Sequence, residues 1–183
     1  TAADEGTVLS YEFKDGINRY LASRPAPTPR TLTELIAFNE SHAAQEMPYF
    51  RQELFLEANA RGPLSDAAYL GARQRSVQAM GKNGIDAVLA AHQLDALVAP
   101  SNGPAWTIDV VNGDHFVGGG ISAPAAIAGY PHVTVPMGQV HGLPVGLSLL
   151  GPAFSEAKLI SYAFAFESAT HARRPPTFKI LNH

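Results

Sequence analysis

The chain of 183 residues contains no cysteine, and charged residues make up only 16% of it. Without cysteine it can form neither a disulfide framework nor a thiolate metal site. Its 13 lysine and arginine residues are outnumbered by 16 aspartate and glutamate residues, which gives a net charge of -3. Because no basic stripe is present to neutralise a phosphate backbone, we expect no nucleic-acid partner.

Long apolar runs are also missing from the sequence. No stretch reaches the roughly 18 apolar residues of a membrane span, and no signal peptide opens the chain. We therefore expect no membrane partner and favour a cytoplasmic location. Hydrophobic residues nevertheless make up 46% of the chain, so it can bury a sizeable core within one domain.

The strand signals are concentrated between residues 95 and 152. Leu97–Ala99 is a short apolar run and His132–Val135 is rich in β-branched residues, and a proline closes each of them. A third run, Val145–Leu150, follows a turn around Gly138–Gly142. Short apolar runs bounded by turn residues are typical of buried strands. This stretch is therefore predicted to hold the strand and loop core.

Helical patterns surround that core. Residues 1–92 are predicted to be a mostly helical cover, and residues 155–170 a closing helix. Thr31 and Glu34 have the spacing of a capping box. The first helical segment places five apolar residues on one face, namely Leu9, Phe13, Ile17, Tyr20 and Leu21. Together these patterns predict an α/β fold.

The glycine run Gly118–Gly120 permits positive φ angles and a close backbone approach. Such a loop can aim N–H donors at an anion or an oxyanion, although a mobile loop tip fits the pattern equally well. Ser122 directly follows and is predicted to cap a short helix over Ala123–Ala128 that Gly129 ends. A nucleophilic role for Ser122 is the alternative, but the G-x-S-x-G elbow is absent.

Asp109, Asp114 and His115 form a further candidate group. A carboxylate beside an imidazole can tune a general base, but loops are commonly rich in such residues, which makes a solvent-exposed loop the favoured interpretation. The sequence holds no phosphate-binding motif and no convincing metal-ligand spacing. We therefore expect no metal and no cofactor.

Three segments resemble the C-terminal half of the amidase signature family. In that family a D-x-L-x-x-P strand precedes a loop, then A-G-x-P-x-x-x-x-P-x-G, then a G-x-P-x-G-L hairpin and a closing helix. The matching residues here are Ala96–Ser101, Ser122–Gly138, Leu143–Leu147 and Gly151. The segment Thr7–Ser23 is most similar to the peptide amidase branch.

The resemblance implies an incomplete α/β structure, the C-terminal portion of a mixed β-sheet covered by helices, with residues 1–183 forming a single segment of a larger amidase domain. It also implies hydrolysis of a carboxamide C–N bond by a Ser–cis-Ser–Lys triad. The G-S-S-G-G-S motif and the lysine-bearing strand of that triad are missing from the sequence. We therefore assign no catalytic residue to this chain and expect it to be inactive alone.

The resemblance also implies the partners and the substrate wall. The partners are a small-molecule or peptide amide substrate and the N-terminal half of the same protein. Because ligands of α/β sheets lie in the loops beyond strand ends, the predicted substrate-binding residues are Pro100, Ser101, Asn102, Trp106, Gly119, Gly120 and Ser122.

Two alternatives from other classes stay open. In the first alternative, the chain is a non-catalytic binding or scaffold domain. In the second alternative, Thr1 is an N-terminal nucleophile whose own amine acts as base.

Overall fold

The computed structural model describes residues 2–116 and 118–177. The elements in chain order are α1 (Ala2–Ser23), α2 (Leu32–Ser41), α3 (Ala43–Glu46), α4 (Glu53–Asn59), α5 (Ala67–Met80), α6 (Asp86–His92), β1 (Leu97–Pro100), α7 (Ser122–Ala128), β2 (His132–Val140), β3 (Leu143–Leu150) and α8 (Glu156–Thr170). A π-helical segment, Gly81–Ile85, lies between α5 and α6. The chain divides into two compact units, Thr1–Val77 and Gln78–His183.

The first unit is a set of packed helices. One half of the predicted capping box forms: the Thr31 side chain accepts a hydrogen bond of 3.1 Å from the N–H of Glu34 and thereby begins α2. The Glu34 side chain accepts from the N–H of Arg30, one residue before the expected donor. Lys14 donates a hydrogen bond of 2.9 Å to the carbonyl of Asn59, the last residue of α4. The core consists of Leu32, Ile36 and Ala58, packed against Ile17, Leu35 and Phe55.

Helix α1 is confirmed, but only part of its apolar face is covered. Leu21 is buried, whereas Leu9 is 61% exposed and Tyr20 is 55% exposed. The helical period shows which residues share a face, yet the neighbouring helices decide which of them lose contact with water.

The second unit contains a three-stranded sheet in the order β1-β3-β2, with both pairs antiparallel. Leu149 and Leu150 of β3 point to opposite faces because side chains alternate along a strand. Leu150 packs with Ile85 and Leu89 on one face. Leu149 packs with Leu159 of α8 on the other face. The predicted sheet with helical cover is therefore confirmed.

Strand β2 does not end at Pro136, as the sequence predicted, but continues to Val140. Among the three described strands β2 lies at the edge, where a missing proline N–H is tolerated, and a bulge separates Pro136 from Gly138. The turn is formed by His141 and Gly142 alone, with φ angles of 51° and 81°. Two successive residues with positive φ angles are typical of a tight two-residue hairpin turn. Gly138 therefore belongs to strand β2 and not to the turn.

Candidate functional site

Three hydroxyl groups meet where β1 ends, and we call Ser101, Thr134 and Ser148 the hydroxyl cluster. The Oγ of Ser148 donates to the Oγ of Ser101 at 2.8 Å. Thr134 Oγ1 lies 3.3 Å from each of the two serine Oγ atoms. Ser148 is fully buried, whereas Thr134 is exposed. The cluster therefore runs from the interior of the sheet to its surface.

The strand register explains why these hydroxyls converge. Ser148 lies opposite Thr134 of β2 and opposite Ala99 of β1, so the side chains at these positions share one face of the sheet. The N–H of Ser101 donates to the carbonyl of Gly146 at 2.7 Å, which extends the pairing by one residue beyond β1. In the sequence, Ser148 stands out because it is a polar residue within the apolar segment Leu143–Leu150. The predicted list of site residues included neither Ser148 nor Thr134.

The glycine run approaches the same place. Gly118 and Gly119 have φ angles of 70° and 92°, in the left-handed region that favours glycine. A Cβ atom on Gly120 would lie 2.6 Å from the carbonyl oxygen of Ser101 and 3.7 Å from Oδ1 of Asn102. The structure therefore brings together three of the predicted site residues: Ser101, Asn102 and Gly120.

The loop between β1 and α7 is organised by an aromatic pair and a carboxylate. Trp106 packs edge-on against Phe116, with ring centroids 5.2 Å apart, and is 38% exposed. Asp109 accepts hydrogen bonds from the N–H groups of Asn112 and Val111 and from the Asn112 side chain. These bonds, led by that of the Asn112 backbone N–H, lower the pKa of Asp109. Asp109 therefore holds a turn as a carboxylate.

The remaining predicted residues lie around this centre. Pro100 is the exposed last residue of β1, paired with Leu147, and Gly119 is exposed. Ser122 was predicted to cap the short helix, but it is the first helical residue and makes no side-chain capping bond. Ile121 occupies the capping position, so the helix begins one residue earlier than predicted. The predicted stop at Gly129 is confirmed, with a φ angle of 72°.

Two of the described lysines, Lys14 and Lys158, bind groups other than serine. Lys158 donates to Asp95 at 2.6 Å, and Tyr162 donates to the other oxygen of that carboxylate at 3.1 Å. The hydrogen bond from Lys158, followed by that from Tyr162, lowers the pKa of Asp95. In residues 2–116 and 118–177 no lysine hydrogen-bonds to a serine, so this part of the chain contains no serine–lysine pair.

An apolar groove of about 370 Å³ lies in the first unit, between α1 and α4. Leu9, Phe13, Leu54 and Phe55 supply most of its apolar lining.

No helix in the described part of the chain has both the length and the apolarity to cross a membrane. The same residues contain no group of three or more His, Cys, Asp or Glu side chains arranged to hold a metal ion.

Known proteins resemble this chain over nearly all of its length. No model of a protein family matches it. A probable amidase of Arabidopsis thaliana is 35% identical over 180 residues, which is 97% of this chain and 31% of the relative. The crystal structure of the native peptide amidase from Stenotrophomonas maltophilia is 51% identical with a TM-score of 0.88, over 98% of this chain and 36% of that one.

A second crystal structure, of the peptide amidase PAM in complex with the competitive inhibitor chymostatin, is 54% identical with a TM-score of 0.90. The match covers 97% of this chain and 36% of that one. The chain thus spans about a third of the length of these relatives. Sequence identity and fold agree over the same residues, and the chain belongs to the amidase signature family.

Proposed function

We propose that this chain supplies one wall of the substrate cleft of an amidase signature hydrolase that cleaves a carboxamide C–N bond. The observation that carries this proposal is the 51% identity with a peptide amidase over 98% of the chain. The hydroxyl cluster and the glycine run support it, because they lie just beyond the carboxyl end of β1, where ligands of α/β proteins tend to bind. The wall consists of Pro100, Ser101, Asn102, Trp106, Gly119, Gly120 and Ser122.

The reaction that we propose uses a Ser–cis-Ser–Lys triad supplied by residues outside this chain. The lysine, acting through the bridging serine, takes the proton of the nucleophilic serine as that serine attacks the amide carbon. Backbone N–H groups then stabilise the oxyanion. Lys14 binds backbone carbonyls and Lys158 binds Asp95, and no lysine of the described residues hydrogen-bonds to a serine, which supports the proposal that the chain alone is inactive.

The remaining part of the amidase is the proposed protein partner. Large apolar side chains are unusually exposed in both units, including Leu9 at 61%, Leu54 at 77% and Phe154 at 94%. Extensive exposed apolar surface marks a site of interaction. The relatives are about three times as long as this chain, which supports a partner of that origin.

An ammonia-release assay with a C-terminally amidated peptide tests the activity. We expect repeated turnover by the protein translated from the whole reading frame and none by the purified 183-residue chain. In the whole protein, Asn102→Ala should raise KM by about two- to tenfold if its amide hydrogen-bonds to the substrate. An unchanged KM together with an unchanged kcat would remove Asn102 from the wall.

The same assay separates the alternatives. Turnover by the purified chain would refute the assignment of the triad to residues outside it. If that turnover disappeared in Thr1→Val, an N-terminal threonine hydrolase would be favoured; Thr1 lies outside the described residues. A whole protein that binds the amidated peptide without cleaving it would favour a binding or scaffold domain.

These 183 residues contain no cysteine, so the labelling of a cysteine introduced into them can be followed on its own peptide in both the purified chain and the whole protein. A single Leu54→Cys substitution should react rapidly with a thiol reagent in the purified chain, because Leu54 is 77% exposed. The same position should be protected in the whole protein. A matched Arg19→Cys variant, at a surface side chain that is 77% exposed, reports the reactivity of an open site on the same unit. Equal reactivity of the Leu54→Cys thiol in both proteins would contradict the interface at α4.

A further inference from the structure

The sequence contains three Asn-Gly pairs, at residues 83–84, 102–103 and 112–113. Asparagine is a thermolabile residue, and glycine, having no side chain, lets its backbone nitrogen approach the preceding side chain closely. Once that nitrogen loses its proton it can attack the asparagine Cγ, forming a C–N bond and a cyclic imide as ammonia leaves. Water then opens the ring to aspartate or isoaspartate. The three pairs differ in how freely they can start this reaction.

Asn102 has its reacting groups side by side. The backbone nitrogen of Gly103 lies 2.9 Å from Oδ1 of Asn102, so it is already close to the side-chain amide carbon that it would attack. The Asn102 side chain is exposed, and this bond to Gly103 is the one hydrogen bond that it makes in the described structure. Water can therefore reach the imide and open it.

Asn112 is also exposed, but Asp109 holds both of its reacting groups apart. The Asn112 side-chain nitrogen donates to a carboxylate oxygen of Asp109 at 3.0 Å. The N–H of Gly113, which would have to attack, donates to the Asp109 carbonyl at 3.0 Å. Both bonds must break before the ring can close.

Asn83 lies within the π-helical segment Gly81–Ile85. In a helix the N–H groups point along the axis toward carbonyls of the preceding turn and away from the side chains. A Cβ atom on Gly84 would lie 2.6 Å from the carbonyl oxygen of Ala79, so the backbone there is packed closely against the preceding turn. The helix must open locally before this asparagine can react.

We propose that Asn102 is a spontaneous modification site, converting to aspartate and isoaspartate faster than Asn112 or Asn83. The product places a carboxylate beside Ser101 and Gly120, whereas a neutral amide stands there now. Its effect on substrate binding rests on the proposed function, but the modification itself depends only on the local geometry.

Incubation of the purified chain at mildly alkaline pH, followed by peptide mapping, tests the proposal. Trypsin would leave all three sites on one peptide, because residues 83–157 contain neither lysine nor arginine. Pepsin instead cuts beside leucine and aromatic residues such as Leu97 and Trp106, and works at acidic pH, where the reaction is slow. Mass spectrometry then measures the conversion of each amide to a carboxylate.

We expect conversion at Asn102 to be about fivefold faster than at Asn112, since two hydrogen bonds must break at Asn112 and one at Asn102, and each slows the reaction by about fivefold. Asn102→Gln should abolish the fast component and leave the other two rates unchanged. Asp109→Ala should accelerate conversion at Asn112 and leave Asn102 unchanged. That result would show that the hydrogen bonds of Asp109, and not the Asn-Gly sequence alone, set the rate of conversion at Asn112.

Equal rates at the three sites, or a faster rate at Asn83 or Asn112, would overturn the proposal. A slow rate at Asn102 would do so as well, without affecting the proposed amidase activity. Conversely, a whole protein that released no ammonia by turnover would refute the proposed function while leaving the mapped modification in place.

Discussion

Replacing Gly146 by alanine should disrupt the hydroxyl cluster, because no space exists for the added methyl group. A Cβ atom at Gly146 would lie 2.6 Å from the Oγ of Ser101, 2.7 Å from Cγ2 of Thr134 and 3.2 Å from the Cβ of Ser101. The first two atoms can move away by side-chain rotation. The third is attached to backbone that is itself bonded to the Gly146 carbonyl, so it can move only if β1 and β3 separate.

The expected cost combines two effects. Rotation of Ser101 removes the acceptor of the buried Ser148 hydroxyl, and one net hydrogen bond contributes about 1 kcal/mol. Overpacking of a filled site adds strain of about 1–3 kcal/mol, which brings the total to about 2–4 kcal/mol. With a urea slope of roughly 2 kcal/mol/M, the unfolding midpoint should fall by about 1–2 M.

Tryptophan fluorescence measures this change in the second unit, because Trp106 is the only tryptophan in the chain. The matched background is Ser101→Gly, which removes both Ser101 atoms from the clash. In that background Gly146→Ala should cost about 1 kcal/mol less, a coupling typical of residues in contact. An equal loss in both backgrounds, or no loss in either, would refute the proposed packing between β3 and Ser101.

Two further predictions concern hydrogen bonds that join elements of the second unit. The lowered pKa of Asp95 stabilises the fold above the ordinary aspartate pKa of 3.8, and this contribution is lost as the pH falls below that value. Asp95→Asn should therefore remove part of the acid dependence of the urea midpoint. Tyr130→Phe removes the hydrogen bond of 2.7 Å from Tyr130 to Asp86, and should lower the free energy of unfolding by about 1 kcal/mol.

Matched variants control both measurements. Lys158→Met should remove the larger part of the acid-dependent component that Asp95→Asn removes, because Lys158 is the main cause of the lowered Asp95 pKa and Tyr162 the second. Tyr20→Phe should leave stability nearly unchanged, since Tyr20 is 55% exposed and its hydroxyl makes no hydrogen bond in the described structure. Identical acid profiles for wild type and Asp95→Asn, or equal effects of the two tyrosine variants, would contradict these assignments.

Local patterns allowed several elements to be predicted from the sequence. The helix cap at Thr31, the helix stop at Gly129 and the strand after Asp95 each depend on residues within a few positions of one another. The error at Pro136 had a different origin, because proline ends a central strand but is tolerated at an edge. Only the order of the strands identifies the edge.

The sequence by itself determined the family resemblance, the helix-covered sheet and the loop after β1, since these depend on motif order and hydrophobic period. The tertiary structure alone decided that Ser148 and Thr134 join Ser101, residues that lie 47 and 33 positions away along the chain. It also decided that Asp109 restrains one Asn-Gly pair, while in another the glycine nitrogen lies 2.9 Å from the side-chain oxygen of the asparagine. The physical reason is that hydrogen bonding and close approach depend on distance in space, which a one-dimensional pattern does not contain.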